Sequence, residues 1–226
     1  MKNKLIAAVI GILVLAGIGN CSATKPKWAL FSDTAYTLNE GKWNVNIIGW
    51  ANYGLTSKLQ LGTNGLLYLF QIPNVYGKYV VVEESDSKPQ VSLGSSIYYP
   101  LQTNTPISTD YSVIFSRAID NNNYILHGGL KLTVNINDSS KPSSNPINTP
   151  GVGYKAGLIT NQSDQTHLFI EGYFNWIPIG RSSEIAVGGD FINENRVISV
   201  GGLFYSSDSQ DRRANVIPFA NVQWNF

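Results

Sequence analysis

The feature that most constrains this chain is a two-residue alternation sustained over long stretches. Between 124 and 136, Tyr124, Leu126, Gly128, Leu130, Leu132, Val134 and Ile136 alternate with Ile125, His127, Gly129, Lys131, Thr133 and Asn135. Between 166 and 176, Leu168, Ile170, Gly172, Phe174 and Trp176 alternate with His167, Phe169, Glu171, Tyr173 and Asn175. At the C-terminus, Val216, Pro218, Ala220, Val222, Trp224 and Phe226 take one face. Asn215, Asn221, Gln223 and Asn225 take the other, with Ile217 and Phe219 as exceptions. Successive side chains of a strand point to opposite faces, so this pattern specifies strands with one oily and one wet face. No stretch carries a convincing 3.6-residue period. The chain reads as all-β.

Weaker alternation falls at 28–37, 42–53, 57–69, 75–83, 90–100, 109–118, 152–160, 184–192 and 196–205, which makes twelve candidate strands with the three above. Ten would also fit if 28–37 lies in the periplasm and one weak strand is a loop. Many of these reach the roughly 9–11 residues that a tilted strand needs to cross a bilayer, against about five or six in soluble sheets. The connections alternate in length. Short links fall at Tyr53-Gly54-Leu55-Thr56, Asp120-Asn121-Asn122-Asn123 and Asn193-Glu194-Asn195; longer ones fall at 101–108, 137–151 and 206–213. With 28–37 running outward, the short links share the periplasmic side and the longer ones lie outside, as in outer-membrane barrels. No domain boundary interrupts residues 24–226. Pro218, which has no N–H, predicts a bulge or an unpaired ladder position.

Alternation alone does not say which face is wet. Composition helps. Charged residues are 14% of the chain, against about 25% in soluble domains, and the polar faces carry mainly Asn, Ser, Thr, Gln and Gly. Soluble surfaces are coated with Lys and Glu instead. Trp43, Tyr53, Tyr99, Tyr124, Trp176 and Trp224 recur at strand ends on the apolar face, which suits aromatic girdles at two interfaces. Backbone groups in hydrocarbon have no outside partner, so a sheet there must close. These points predict a single antiparallel transmembrane β-barrel, twelve strands preferred. Arg117 falls on the apolar face near the periplasmic end, where it can snorkel. A formal net charge of +1 with no basic run argues against nucleic-acid binding.

The first two dozen residues read as an address. Lys2 and Lys4 precede an apolar stretch from Leu5 to Ile18, too short to span a bilayer as a helix. Residues 1–23 are therefore a predicted signal peptide. Cys21, Ser22 and Ala23 offer cleavage before Thr24. Alternatively, Ile18-Gly19-Asn20-Cys21 resembles a lipobox with cleavage before Cys21 and lipidation of that residue, although Asn20 departs from the usual small residue.

The terminal Val222-x-Trp224-x-Phe226 resembles the C-terminal signal of Gram-negative outer-membrane β-barrels, which the barrel-assembly machinery reads. More loosely, Thr34-Ala35-Tyr36-Thr37-Leu38-Asn39-Glu40-Gly41, Tyr53-Gly54-Leu55-Thr56 and Leu59-x-Leu61-Gly62-Thr63 are similar to transporter-like outer-membrane barrels associated with a phenol-degradation pathway. That similarity covers roughly residues 34–80 and the last strand. It implies a barrel in the outer membrane of a Gram-negative bacterium, with lipid and the assembly machinery as partners, and carries over no functional residue.

The inferred lumen face holds Lys58, Lys78, His127, Lys131, Lys155, Glu171 and Asp190. Such a lining either selects solutes by charge or pairs internally and plugs the barrel. His127 and His167 are the only histidines. A hydrolase would need Ser or another nucleophile within reach of one of them, and Gly-x-Ser-x-Gly is absent. Gly151-x-Gly153-x-x-x-Gly157 is no nucleotide fingerprint, and no cofactor or metal motif is present. The reading is a narrow channel or transporter for a small solute, not an enzyme. The rivals are an outer-membrane hydrolase using a lumen-face His, and a secreted or lipid-anchored soluble β-barrel with an apolar ligand inside.

Overall fold

A computed structural model describes residues 34–101, 106–119, 124–136, 150–163, 165–177, 180–193, 195–207 and 215–226. The signal-peptide region and Cys21 lie outside the described residues. Twelve antiparallel strands close into a barrel in which each pairs with its neighbours in sequence and the last pairs with the first. They are β1 Trp43–Asn46, β2 Trp50–Gly54, β3 Leu59–Asn64, β4 Asn74–Val82, β5 Gln90–Tyr98, β6 Ile107–Ile119, β7 Tyr124–Ile136, β8 Gly151–Ser163, β9 Thr166–Ile177, β10 Gly180–Asn193, β11 Arg196–Ser207 and β12 Asn215–Asn225. A five-residue helix, α1 Gly65–Leu69, joins β3 to β4.

The strand ends joined by connections 55–58, 83–89, 120–123, 164–165 and 194–195 lie at the end where the chain finishes, here called the terminal end. The strand ends joined by the remaining six, including the longer 65–73, 99–106, 137–150 and 208–214, lie at the opposite, loop end. All three predicted short links are thus on one side and all three predicted long ones on the other.

The expected count of twelve holds, but two of its members are different. The predicted strand 42–53 is two strands. Gly49 turns the chain at φ +92, a left-handed conformation that glycine adopts without steric cost, and Asn46 Oδ1 caps the turn by accepting from Trp50 N at 2.9 Å. The predicted strand 28–37 is not a strand where it is described: residues 34–38 form no ladder. The predicted strand 57–69 stops at Asn64, whose side chain accepts from Leu66 N at 3.0 Å and caps α1.

Pro218 meets the second of its two expectations, an unpaired ladder position, and there is no bulge. It lies opposite Gly202 in an unbroken register from Arg196↔Trp224 to Tyr205↔Asn215. Val222 O accepts from Ile47 N, while Asn225 N donates across the other edge to Asn195 O. Backbone polar groups alternate between edges, so even-numbered residues of β12, Pro218 included, face the β1 edge. Strand β1 has already ended there, so the missing N–H breaks no ladder bond.

Burial runs opposite to that of a soluble domain. Leu130 is 62% exposed, and Val75, Leu93, Val113, Leu126, Val152, Ile170, Val187 and Val200 also point out. Among the most deeply buried side chains are Lys78, Gln60, Asn44, Asn221, Ser92 and Ser116. The apolar side of each alternation faces outward and the wet side faces the lumen. This is the reverse of what a soluble barrel holding an apolar ligand requires.

Candidate functional site in the lumen

The lumen is floored toward the terminal end by the chain's own residues 34–38. Lys78, 1% exposed, donates from Nζ to Thr34 O at 2.9 Å and to Tyr36 O at 2.6 Å. Ala35 N donates to Ser116 Oγ at 2.8 Å, and Ala35 O accepts from Gln90 Nε2 at 3.0 Å and from Ser92 Oγ. Leu38 N donates to Gln60 Oε1 at 3.0 Å. Tyr36 OH donates to Glu84 Oε2 at 2.8 Å. Burial first, then the Glu84 carboxylate, pushes the Tyr36 hydroxyl well above its ordinary range. A segment without a ladder thus has its backbone groups met by inward side chains of β3 to β6, as buried peptide groups require.

Beside this segment the inward face is oily, contrary to a uniformly wet lumen. Ile125, Ile159, Phe169 and Ala186 form a buried cluster against which Tyr36, Ala118, Leu203 and Phe219 pack. Phe169 and Phe219 stack at 6.3 Å. Gly188 and Gly201, opposite one another on β10 and β11, lie under these rings: a Cβ would come within 2.8 Å of Phe169 Cζ at Gly188 and 2.7 Å of Phe219 Cζ at Gly201.

Bordering these elements is a cavity of about 370 Å³. One wall is an amide array on β1, β2, β3 and β12. Asn44 Nδ2 donates to Asn225 Oδ1 at 2.8 Å, Asn52 Nδ2 to Asn44 Oδ1 at 3.4 Å and Gln223 Nε2 to Asn225 Oδ1 at 3.3 Å. The facing wall carries the charges. Lys131 Nζ lies 3.4 Å from Asp110 Oδ2 and 5.3 Å from the centre of the Tyr173 ring. Thr133 Oγ1 donates to Asp110 Oδ1 at 2.6 Å. Glu171, Glu184, Asp190 and Lys155 complete it, with Trp50, Tyr76 and Tyr98 toward the loop end.

The predicted lumen residues are not all in one place. Lys131, Lys155, Glu171 and Asp190 line this cavity. Lys78 is inside but bound to the floor segment. His127 is buried, with Nε2 3.9 Å from Glu171 Oε1. Its strand partner Gly157 leaves room for the imidazole, since a Cβ there would collide with it. Lys58 is a correction: it lies in the 55–58 turn, exposed, with Nζ 2.8 Å from Glu83 Oε1. Strand β3 begins at Leu59, two residues later than the alternation implied, so Lys58 precedes the wall.

His167, Asp190, Ser199 and Asn221 stand abreast on β9 to β12. Asp190 stands between the imidazole and the hydroxyl, and its carboxylate accepts from Ser199. Val222, Trp224 and Phe226 share the outward face of β12, and Phe226 closes the barrel by exchanging two 2.9 Å backbone bonds with Trp43. Arg117 points outward and donates from Nη2 to Asp86 O at 2.9 Å near the terminal end.

Sequence reasoning missed the amide wall, Asp110 and Glu184. Their signal was present, since Asn44, Asn46, Asn221 and Gln223 occupy alternate positions. Neutral amides do not stand out as chemistry until the barrel stacks them. Comparison with protein-family models and with curated proteins finds no match for this chain.

Proposed function

We propose that this protein is a bacterial outer-membrane β-barrel that passes small polar solutes through a narrow, gated lumen. The observation that carries this reading is the inverted burial: an oily belt encircles the wall while lysine, amides and carboxylates are enclosed. A soluble monomer rarely exposes apolar patches beyond a few hundred Å². Lipid is the solvent that makes such a surface favourable, and closure removes every edge that lipid could not satisfy. Trp43, Tyr53 and Tyr124 at the terminal end, and Tyr99, Tyr111 and Tyr154 toward the loop end, supply interfacial aromatic belts. The chain end and mostly short connections at one rim, with the three longest connections at the other, match the periplasmic and outer sides.

The cavity is of a size that small ligands occupy, about 300–1,000 Å³. Residues 34–38 and the oily cluster close its terminal side, so passage requires the segment to move and the barrel is gated. Asp190 separates the imidazole of His167 from the Ser199 hydroxyl, an order that supports passage over hydrolysis by that row.

Two measurements test the proposal. The folded chain should need detergent for extraction and should migrate differently on gels before and after boiling. Reconstituted liposomes should swell slowly in erythritol and not in a large dextran. A freely soluble monomer, or liposomes as tight as protein-free ones, would refute it.

A further inference from the structure

We infer that the lumen cavity is a binding site for a small protonated amine; this deepens, and rests on, the reading of the barrel as a solute path. The cavity lining holds four carboxylates, Asp110, Glu171, Glu184 and Asp190, against two lysines, Lys131 and Lys155. A negative excess therefore remains among the described residues, even if His127 beside Glu171 carries a proton. Lys131 is the closest cation to Asp110 and also acts on Glu184, so it does not free either wall for an anion.

The second observation is independent of charge count. Asp190 is 3% exposed and Asn221 is 2% exposed, and both line the cavity. Asp190 Oδ1 and Asn221 Oδ1 have no hydrogen-bond partner among the described residues. They flank Ser199 on adjacent strands and point to the same side of the wall. Buried acceptors left unmet are costly. Meanwhile the amide donors nearby are engaged: Asn44, Asn52 and Gln223 all give their N–H groups to neighbouring amide oxygens. These three amide donors are engaged while the Asp190 and Asn221 oxygens stay open, and open buried acceptors suit an ammonium group, which has three N–H bonds and no acceptor.

A bare metal ion fits less well. Among the described residues no three His, Cys, Asp or Glu converge to hold one, and hard cations take six or more oxygens. An ammonium needs fewer acceptors and gains from aromatic faces, which Tyr98, Tyr173 and Trp50 supply.

Calorimetry on the full chain folded in detergent tests this with 1,4-diaminobutane, 1,4-butanediol and succinate at low salt. The diamine should bind at least about tenfold more tightly than the diol or the diacid, the scale of a charge-assisted contact. Asp190→Asn, nearly isosteric, should bring the diamine down to the level of the diol, and Asn221→Ala should weaken it several-fold. Equal binding of diol and diamine, no diamine binding, or an unchanged Asp190→Asn overturns the inference. Boiling-dependent gel mobility reports whether each variant is folded. If Asp190→Asn does not fold, Glu184→Gln takes its place, and unchanged diamine affinity there overturns it equally. Erythritol swelling of liposomes reads passage separately. A barrel that conducts but ignores amines defeats only this inference, whereas one that binds amines but never conducts defeats only the solute path.

Discussion

Replacing Lys78 by Met should open the barrel without unfolding it. The ammonium of Lys78 holds Thr34 O and Tyr36 O at 2.9 and 2.6 Å. Hydrogen bonds from a charged donor contribute about 1.5–3 kcal/mol each. Against that stands the desolvation of an ammonium that is 1% exposed, itself several kcal/mol. Methionine keeps the length of the side chain and removes both terms, leaving two carbonyls unmet. We take the net loss in docking of residues 34–38 as about 2 kcal/mol, which multiplies the undocked fraction roughly thirtyfold. The segment keeps its bonds to Ser116, Gln90, Ser92, Gln60 and Glu84, so closure remains the majority state. Planar-bilayer recording should show open probability rising by about that factor, with single-channel conductance unchanged once open. The boiling-dependent gel shift should persist. A folded Lys78→Met barrel whose open probability equals that of the parent would refute the gate.

Three further outcomes follow from the wall itself. Leu130→Arg places a charge on the most exposed mid-strand leucine and should reduce folding stability in vesicles by about 2–4 kcal/mol, read by urea titration; an unchanged midpoint would mean that this face does not meet lipid. Gly201→Ala sets a Cβ 2.8 Å from Gly188 Cα and 2.7 Å from Phe219 Cζ; such overpacking should cost about 1–3 kcal/mol by the same titration, and a stability equal to the parent would show that the ring stack has slack. Deleting Phe226 removes both backbone bonds to Trp43 from a seam of only three paired positions, so the yield of the heat-modifiable form should fall sharply, whereas Lys58→Ala, which breaks only an exposed turn ion pair, should leave it unaltered.

The long strands were legible because their alternation is uninterrupted and one face is fully apolar. Strand β7 Tyr124–Ile136 runs over the same residues as its pattern. The N-terminal third was not, for reasons of local geometry. Residues 42–53 keep an alternating look on both sides of Gly49, and a two-residue period cannot announce a reversal that one glycine makes. The apolar run ending in Phe70 fits strand or helix equally; the Asn64 cap decided for helix. The floor segment reads as a wall in the sequence because alternation around 34–38 meets the same need in either place, small and apolar residues between backbone groups that seek partners. The cavity was half visible. Charged lumen residues stood out, while the amides facing them needed the register of β1 and β12 to become a surface.

The wall is uneven in height, and this bears on how the molecule would sit in lipid. Strands β1 to β3 are four, five and six residues long, whereas β6 to β11 run from twelve to fourteen. At about 3.3 Å per residue along strands tilted about 45°, three short strands alone would leave a dip of roughly 20 Å in the hydrophobic collar. Helix α1 follows β3 at the loop end and buries none of its residues, with Leu66, Tyr68, Leu69 and the following Phe70 turned outward. It adds about 7.5 Å of oily surface above the short strands, so in a bilayer the acyl chains on that flank would have a shallower rim to meet.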